Sequence, residues 1–154
     1  MAELHELSAV DLAGAIRRRE VSSREALHHL VARADRLDGP LNSIVTRDLD
    51  AAETAAAAAD AAIARGDEVG PLHGVPMTIK DSFSTAGMRT TSGAPELSDH
   101  VPTEDAWPVA GLRRTVRMFR FRSNRGNSNP RTDWNCLHRR NRRLYCPGGV
   151  QAIG

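Results

Sequence analysis

The chain has 154 residues, enough for about one domain, and its 21 basic and 19 acidic side chains leave a net charge of only +2. No run of 18 or more apolar residues is present, which excludes a transmembrane helix of ordinary length. The N-terminal segment MAELHEL does not predict a signal peptide, and the first 112 residues contain no cysteine. We therefore expect a cytoplasmic protein rather than a secreted, disulfide-built domain.

The small net charge conceals an uneven distribution along the chain. Residues 1–112 carry ten basic and eighteen acidic side chains, a net charge of −8, whereas residues 113–154 carry eleven arginines and one acid, a net charge of +10. Both cysteines and four of the six aromatic residues also lie in the second part. An asymmetry of this size indicates either an arm that binds nucleic acid or a change in the origin of the sequence.

Two helices are predicted near the start. Ser8 and Ser22 are each followed, three residues later, by an acidic residue, which is the spacing of a capping box. Apolar residues at helical spacing then predict helices over about residues 9–20 and 23–37. The pair Gly39-Pro40 ends the second helix.

A strand and a third helix follow. Residues 41–46 (LNSIVT) form a short β-branched run, which predicts a strand. Residues 50–65 are very rich in alanine and precede Gly66, which predicts a helix. Its small side chains suit close packing on a larger body, but a plain surface helix would have the same composition.

The next predicted strand contains the only lysine of the chain. In residues 75–80 (VPMTIK), the apolar Val75, Met77 and Ile79 alternate with Pro76, Thr78 and Lys80, and the predicted strand ends at Lys80. Residues 82–102 are rich in Gly, Ser, Thr and Pro and predict a loop, and residues 104–112 resemble the start of a helix that Pro108 weakens. The order of these elements predicts an α/β fold.

A lysine at the end of a buried strand can have a chemical role. Burial disfavours the charged form of a lysine, and a neutral lysine can act as a general base toward a serine hydroxyl. The plain alternative is a lysine that reaches water and pairs with the adjacent Asp81. The residues alone favour this alternative, because strongly perturbed lysines are the exception.

The segment GPLHGVPMTIKD, residues 70–81, resembles the lysine motif of the amidase signature family. The flanking sequence is similar to that family over residues 5 to about 113, including the GMRTTSG turn after the lysine. The resemblance implies that residues 1–112 are the N-terminal part of the amidase signature fold, in which helices surround a mixed central sheet. Residues 113–154 do not share it, and we expect them to be irregular or disordered.

The resemblance also implies a chemistry. Family members hydrolyse acyl amides with a Ser–cis-Ser–Lys triad, and Lys80 corresponds to the triad lysine, the single catalytic residue that we assign. His73 recurs in the motif for structure, and Asp81 receives no catalytic role. No cofactor or metal is expected, and the expected substrate of the intact family is a small-molecule amide.

The serine motifs of the family are missing from the chain. Where a GGSSGG-like stretch is expected, residues 146–154 read CPGGVQAIG, and neither Ser123 nor Ser128 lies in a matching motif. We therefore expect a truncated, inactive amidase fragment that is marginally stable or unfolded. A frameshift near Arg113 is the favoured explanation of the tail, and a genuine basic extension is the other.

Three alternatives remain. The chain could belong to the amidase subunit of a tRNA-dependent amidotransferase, or its arginine-rich tail could bind nucleic acid, although no binding fold is visible there and we do not expect it. Cys136, His138 and Cys146 offer only three ligands at irregular spacing, which is a weak zinc signal. Membrane association is not expected, and the sequence predicts no oligomeric state.

Overall fold

The structure is a computed structural model that describes the backbone of residues 3–115 and 120–123 and the side chains of residues 3–113. A 3-10 turn at Leu4–Glu6 precedes the first helix, and a second one lies at Pro95–Leu97. The remaining elements, in chain order, are α1 (Ala9–Arg17), α2 (Ser23–Leu37), β1 (Ile44–Asp48), α3 (Leu49–Arg65), β2 (Thr78–Lys80), α4 (Trp107–Thr115) and β3 (Arg120–Ser123). Within the described part of the chain, no helix is both long and apolar enough to cross a membrane.

Side-chain caps begin the first two helices, as predicted. The Ser8 hydroxyl accepts a hydrogen bond from the Asp11 amide at 3.1 Å. At α2 the capping box is complete, because Ser22 Oγ accepts from the Glu25 amide at 3.1 Å and the Glu25 carboxylate accepts from the Ser22 amide at 2.8 Å. Helix α1 ends three residues earlier than predicted, since Arg19 adopts the left-handed conformation with φ 60°.

Helix α3 packs closely against α2 through its alanines. Ala52, Ala56, Ala59 and Ala62 lie on one stripe and are at most 3% exposed. Leu27 of α2 packs on the first two of them. The interpretation of this helix as a close-packing element is therefore confirmed, because alanine side chains allow the two helix backbones to approach.

A second apolar cluster joins α1 to the segment before β2. Its buried members are Leu12, Ala13, Ala15, Ile16, Val21, Ala26 and Val75, and Leu4, Leu7, Ile63 and Leu72 pack against them. The two clusters meet along α2, which contributes Ala26 to one and Leu27 to the other. The core of the described region is thus built mainly between helices.

Strand β1 begins three residues later than the predicted strand over residues 41–46. The cause is Asp38, whose carboxylate accepts hydrogen bonds from the amides of Ser43 at 2.8 Å and Ile44 at 3.0 Å, and from the Ser43 hydroxyl. The intervening residues turn around this buried carboxylate, and Asn42 adopts a φ of 47° there. Asp38 therefore fixes the connection between α2 and the sheet.

The three strands form a mixed sheet in the order β1-β3-β2. Strand β3 pairs antiparallel with β1 and parallel with β2. A mixed sheet agrees with the predicted fold class. Strand β3 itself was not predicted. Its residues, 120–123, lie in the arginine-rich segment that we expected to be irregular or disordered, although phenylalanine and arginine alternate over residues 119–122.

Helix α4 begins at Trp107, three residues after the predicted start. Pro108 is its second residue and is tolerated because the first-turn amides have no partner within the helix. Val109 is almost fully buried, whereas Trp107 is 87% exposed. Burial of the Val109 side chain therefore anchors the helix, and the exposed Trp107 does not.

Replacing Gly74 with alanine should destabilise the fold more than replacing Gly66. Both glycines have φ near +80°, where a Cβ costs roughly 1–2 kcal/mol. A Cβ at Gly74 would also lie 2.2 Å from Ser23 Oγ and 3.2 Å from Ile16 Cγ2, and overpacking of this kind adds about 1–3 kcal/mol. A Cβ at Gly66 meets no atom within 4 Å.

Urea unfolding of Gly74→Ala and Gly66→Ala measures this difference directly. Gly66→Ala is the matched control, because it has the same backbone strain without the steric contact. Equal free energies of unfolding for the two variants would contradict the close approach of Gly74 to Ser23.

Asp38→Asn should reduce the acid sensitivity of the fold. Burial raises the pKa of Asp38, but hydrogen bonds from Ser43 and Ile44 and the nearby Arg47 outweigh it and lower the pKa below its ordinary value. A lowered folded-state pKa stabilises the protein above the unfolded value of about 4, and this stabilisation is lost as the pH falls through the folded-state pKa. The wild type should therefore lose more free energy of unfolding between about pH 6 and pH 3 than Asp38→Asn does.

Denaturant unfolding at several pH values tests this expectation, with Glu96→Gln, a change at an exposed carboxylate of the second 3-10 turn, as the control. Parallel pH profiles of the free energy of unfolding for the wild type and Asp38→Asn would show that ionisation of the Asp38 carboxylate does not stabilise the fold.

Candidate active site around Lys80

The lysine motif begins with a tight turn that leads into β2. The His73 amide donates to the Gly70 carbonyl at 3.1 Å, and the Val75 amide donates to the Leu72 carbonyl at 3.2 Å. Gly74, with φ 79°, lets the chain pass against Ser23 of α2. The turn therefore sets the direction in which β2 leaves the helical core.

His73 attaches this turn to α3. Its ring is buried, and Nε2 lies 3.1 Å from the carbonyl oxygen of Ala59. Because a carbonyl oxygen only accepts hydrogen bonds, Nε2 must be the protonated nitrogen that donates. This contact agrees with the structural role expected for His73.

Lys80 is the last residue of β2. It is half-buried, whereas the preceding Ile79 is buried and Thr78 is exposed, so the predicted alternation is present. The Phe83 amide donates to the Lys80 carbonyl at 3.0 Å, which closes a turn directly after the strand. In the parallel pairing with β3, the Lys80 backbone lies in register with Ser123.

Asp81 is buried directly after the lysine. Its exposed fraction is 2%, and its carboxylate accepts from the Thr91 amide at 3.1 Å and from the Thr91 hydroxyl at 2.5 Å. Thr91 Oγ1 in turn accepts from the Gly93 amide at 3.2 Å. The carboxylate therefore holds the TTSG turn against the end of β2, which explains its place in the motif without a catalytic role.

Further hydrogen bonds order the predicted loop over residues 82–102. Backbone amides of Gly87 and Thr90 donate to the carbonyls of Pro102 and His100 at 2.9 and 2.8 Å. The Ala86 amide donates to the Asp105 carboxylate at 2.7 Å. The prediction of a loop is confirmed, and these bonds hold its first half against its last residues.

The arrangement offers one amine at the end of a strand, on a scaffold that buried hydrogen bonds hold in place. An amine in such a position can exchange a proton with a neighbouring hydroxyl. Ser123 is the serine that the sheet register brings level with Lys80, and it lies outside the family-like motif. The other residues considered in the tail, Ser128, Cys136, His138 and Cys146, lie outside the described residues.

Sequence comparisons agree with the position of the motif. The sequence model described as "Amidase" matches residues 25–119, which include β2 and Lys80. The chain belongs to the amidase family. It is also similar to a glutamyl-tRNA(Gln) amidotransferase subunit of Moorella thermoacetica, with 42% identity over 111 residues, and to the same subunit of Thioalkalivibrio sulfidiphilus, with 45% identity over 106 residues.

Solved structures of amidases share the fold. Peptide amidase from Stenotrophomonas maltophilia matches 77% of the chain with a TM-score of 0.70 and 30% identity, and fatty acid amide hydrolase, at 24% identity and a TM-score of 0.71, shares the fold. The amidase-family chain covers only 25% of the peptide amidase. It covers 23% of the Moorella protein and 22% of the Thioalkalivibrio one, and those matches span 72% and 69% of the chain itself.

Two groups of residues were not found from the sequence. Thr91 carried no signal of its own, since its role depends on a buried carboxylate ten residues earlier. The second group is Glu3, His5 and His29, whose side chains meet although 24 residues separate the two histidines. The neighbouring His28 is exposed beside Glu53, whereas His29 is half-buried.

Thr91→Val should destabilise the amidase-family chain by about 1.5–3 kcal/mol, because it removes a hydrogen bond to a buried carboxylate. Thr103→Val, at an exposed loop position, is the matched control and should change stability by less than about 0.5 kcal/mol. Urea unfolding measures both. Equal effects of the two substitutions would mean that the contact between Asp81 and Thr91 does not stabilise the loop.

Proposed function

We propose that residues 1–112 are the N-terminal part of an amidase that hydrolyses acyl amide C–N bonds. The observation that supports this function is the position of Lys80 at the end of β2, within the segment that matches the amidase family. The substrate class is a small-molecule amide. The cysteine-free composition of these residues favours a reducing compartment, and we propose the cytoplasm.

In the proposed mechanism, Lys80 is the general base of a Ser–cis-Ser–Lys triad. It accepts the proton of a bridging serine, which in turn accepts the proton of the nucleophilic serine as that oxygen attacks the amide carbonyl. The amine leaves with a proton, and water then cleaves the acyl-enzyme ester. Backbone amides that donate to the developing oxyanion would supply much of the rate enhancement.

The serines of that triad are not assigned within these 154 residues. We infer that the reading frame changes near Arg113, because net charge, alanine content and helical pattern all change there and the family match stops at residue 119. The nucleotide sequence after the codon for Leu112, translated in all three frames, tests this directly. A GGSSGG-like stretch in another frame supports a frameshift, and its absence from every frame contradicts it.

The 154-residue chain, assayed alone on simple acyl amides, should show no turnover above that of its Lys80→Ala variant. If a downstream frame encodes the serine motifs, the protein with that frame restored should be active. In that protein, Lys80→Ala should lower kcat by about 10²–10⁴, the usual contribution of a general base. Lys80→Arg should lower kcat similarly, because a guanidinium group remains protonated.

Arg65→Gln is the matched control for these variants, because it also removes a positive charge but lies at the exposed end of α3. It should leave kcat unchanged. Turnover by the 154-residue chain that Lys80→Ala abolishes would contradict its inactivity. A restored enzyme that is insensitive to Lys80→Ala would contradict the proposed role of the lysine.

The curated relatives favour one alternative, namely a component of a glutamyl-tRNA(Gln) amidotransferase. The restored protein would then amidate glutamyl-tRNA(Gln) only together with its partner subunits. Hydrolysis of free amides by the isolated protein, without any such requirement, would favour the hydrolase.

A further inference from the structure

A mixed imidazole and carboxylate cluster lies far along the chain from Lys80, where the N-terminal 3-10 turn meets α2. His5 Nδ1 lies 3.1 Å from His29 Nε2 and 3.2 Å from Glu3 Oε2. The three ligand atoms all lie within 4.8 Å of one another. Glu3 and His5 lie at the N-terminal 3-10 turn, and His29 lies on α2. The cluster therefore depends on the packing of this turn against α2.

The spacing of these atoms matches the coordination sphere of a tetrahedral metal. With metal–nitrogen bonds of about 2.0–2.1 Å, neighbouring ligand atoms of a tetrahedral site are about 3.3 Å apart. Two of the three separations, 3.1 and 3.2 Å, are close to that value, and the third is at most 4.8 Å. Two imidazole nitrogens and one carboxylate oxygen are also a donor set that zinc accepts in proteins, with water in the fourth position.

The backbone around the cluster is already ordered. The Glu6 amide donates to the Glu3 carbonyl at 2.8 Å, and the Glu3 amide donates to the Glu6 carboxylate at 3.1 Å, which closes the 3-10 turn. Leu4 and Leu7, on either side of His5, pack against the apolar cluster of α1. The His5 and His29 rings are nearly parallel, with centroids 5.4 Å apart.

We propose that Glu3, His5 and His29 bind a zinc ion, which joins the N-terminal 3-10 turn to α2. In the absence of metal, one imidazole must donate a hydrogen atom to the other, so the ion replaces that hydrogen atom between the two nitrogens. The bound ion adds a stronger link between two segments that otherwise meet through side-chain packing and the hydrogen bond between His5 and His29. The site is independent of the chemistry at Lys80.

The test uses the full 154-residue chain in a Cys136→Ser, Cys146→Ser background, which removes the thiolates of the tail as competing ligands. Zinc chloride is titrated against a chromophoric chelator of known affinity, and tetrahedral coordination is checked by the visible spectrum of the Co²⁺ form. The background protein should bind one zinc ion per chain, and His5→Gln or His29→Gln should each weaken binding by at least about 100-fold, the upper end of the range for outer-shell changes.

His28→Gln is the matched control, because His28 is the neighbour of His29 but faces Glu53. It should bind zinc as the background protein does, and the far-UV circular dichroism of the His28 and His29 variants should agree. Glu3→Gln tests the third ligand at an exposed position without disturbing the core, and it should weaken binding at least about tenfold. Failure to bind one zinc ion, or equal affinities in the His28 and His29 variants, would overturn the proposal and leave a hydrogen-bonded histidine pair.

Discussion

The close contact between α2 and α3 is the constraint on which the rest of the described structure depends. Ala52, Ala56 and Ala59 of α3 are completely buried, and Leu27 of α2 packs on the first two. Larger side chains at those two positions would separate the helix backbones. With the helices this close, the Asp60 carboxylate reaches the start of α2 and accepts from the Ser23 amide at 2.7 Å. The helix contact therefore supplies a partner for a first-turn amide of α2, beside the capping box that Ser22 and Glu25 already form.

The same contact positions the lysine motif. The Ala59 carbonyl that receives the His73 hydrogen bond belongs to the buried stripe of α3, and Ser23, which lies against Gly74, belongs to the first turn of α2. Most residues of the motif thus have a packing or hydrogen-bonding task, and Asp81 holds the following loop. The chemical role proposed for Lys80 rests on the match of this segment to the amidase family.

Local signals in the sequence predicted the helices well. Ser22 with Glu25 and the αL residue Gly66 act within a few residues of themselves, so their effect can be read from spacing. The boundary of β1 was less accurate because Asp38 bonds to amides five and six residues later, and no short pattern reveals that a carboxylate will be buried. Contacts such as Asp81 with Thr91, or His5 with His29, require the fold before they can be recognised.

Strand β3 shows how far the sheet depends on residues outside the family-like sequence. In the described structure, β1 and β2 do not pair with each other, and both pair with β3. A strand position requires backbone amides and carbonyls at the correct spacing, and almost any sequence without proline can supply them. Backbone pairing with residues 120–123 therefore holds the strand that carries Lys80 in the sheet. The composition of the segment that contains these residues differs from that of the residues before Arg113. Backbone pairing of this kind can join two strands into one sheet, whatever side chains the central strand carries.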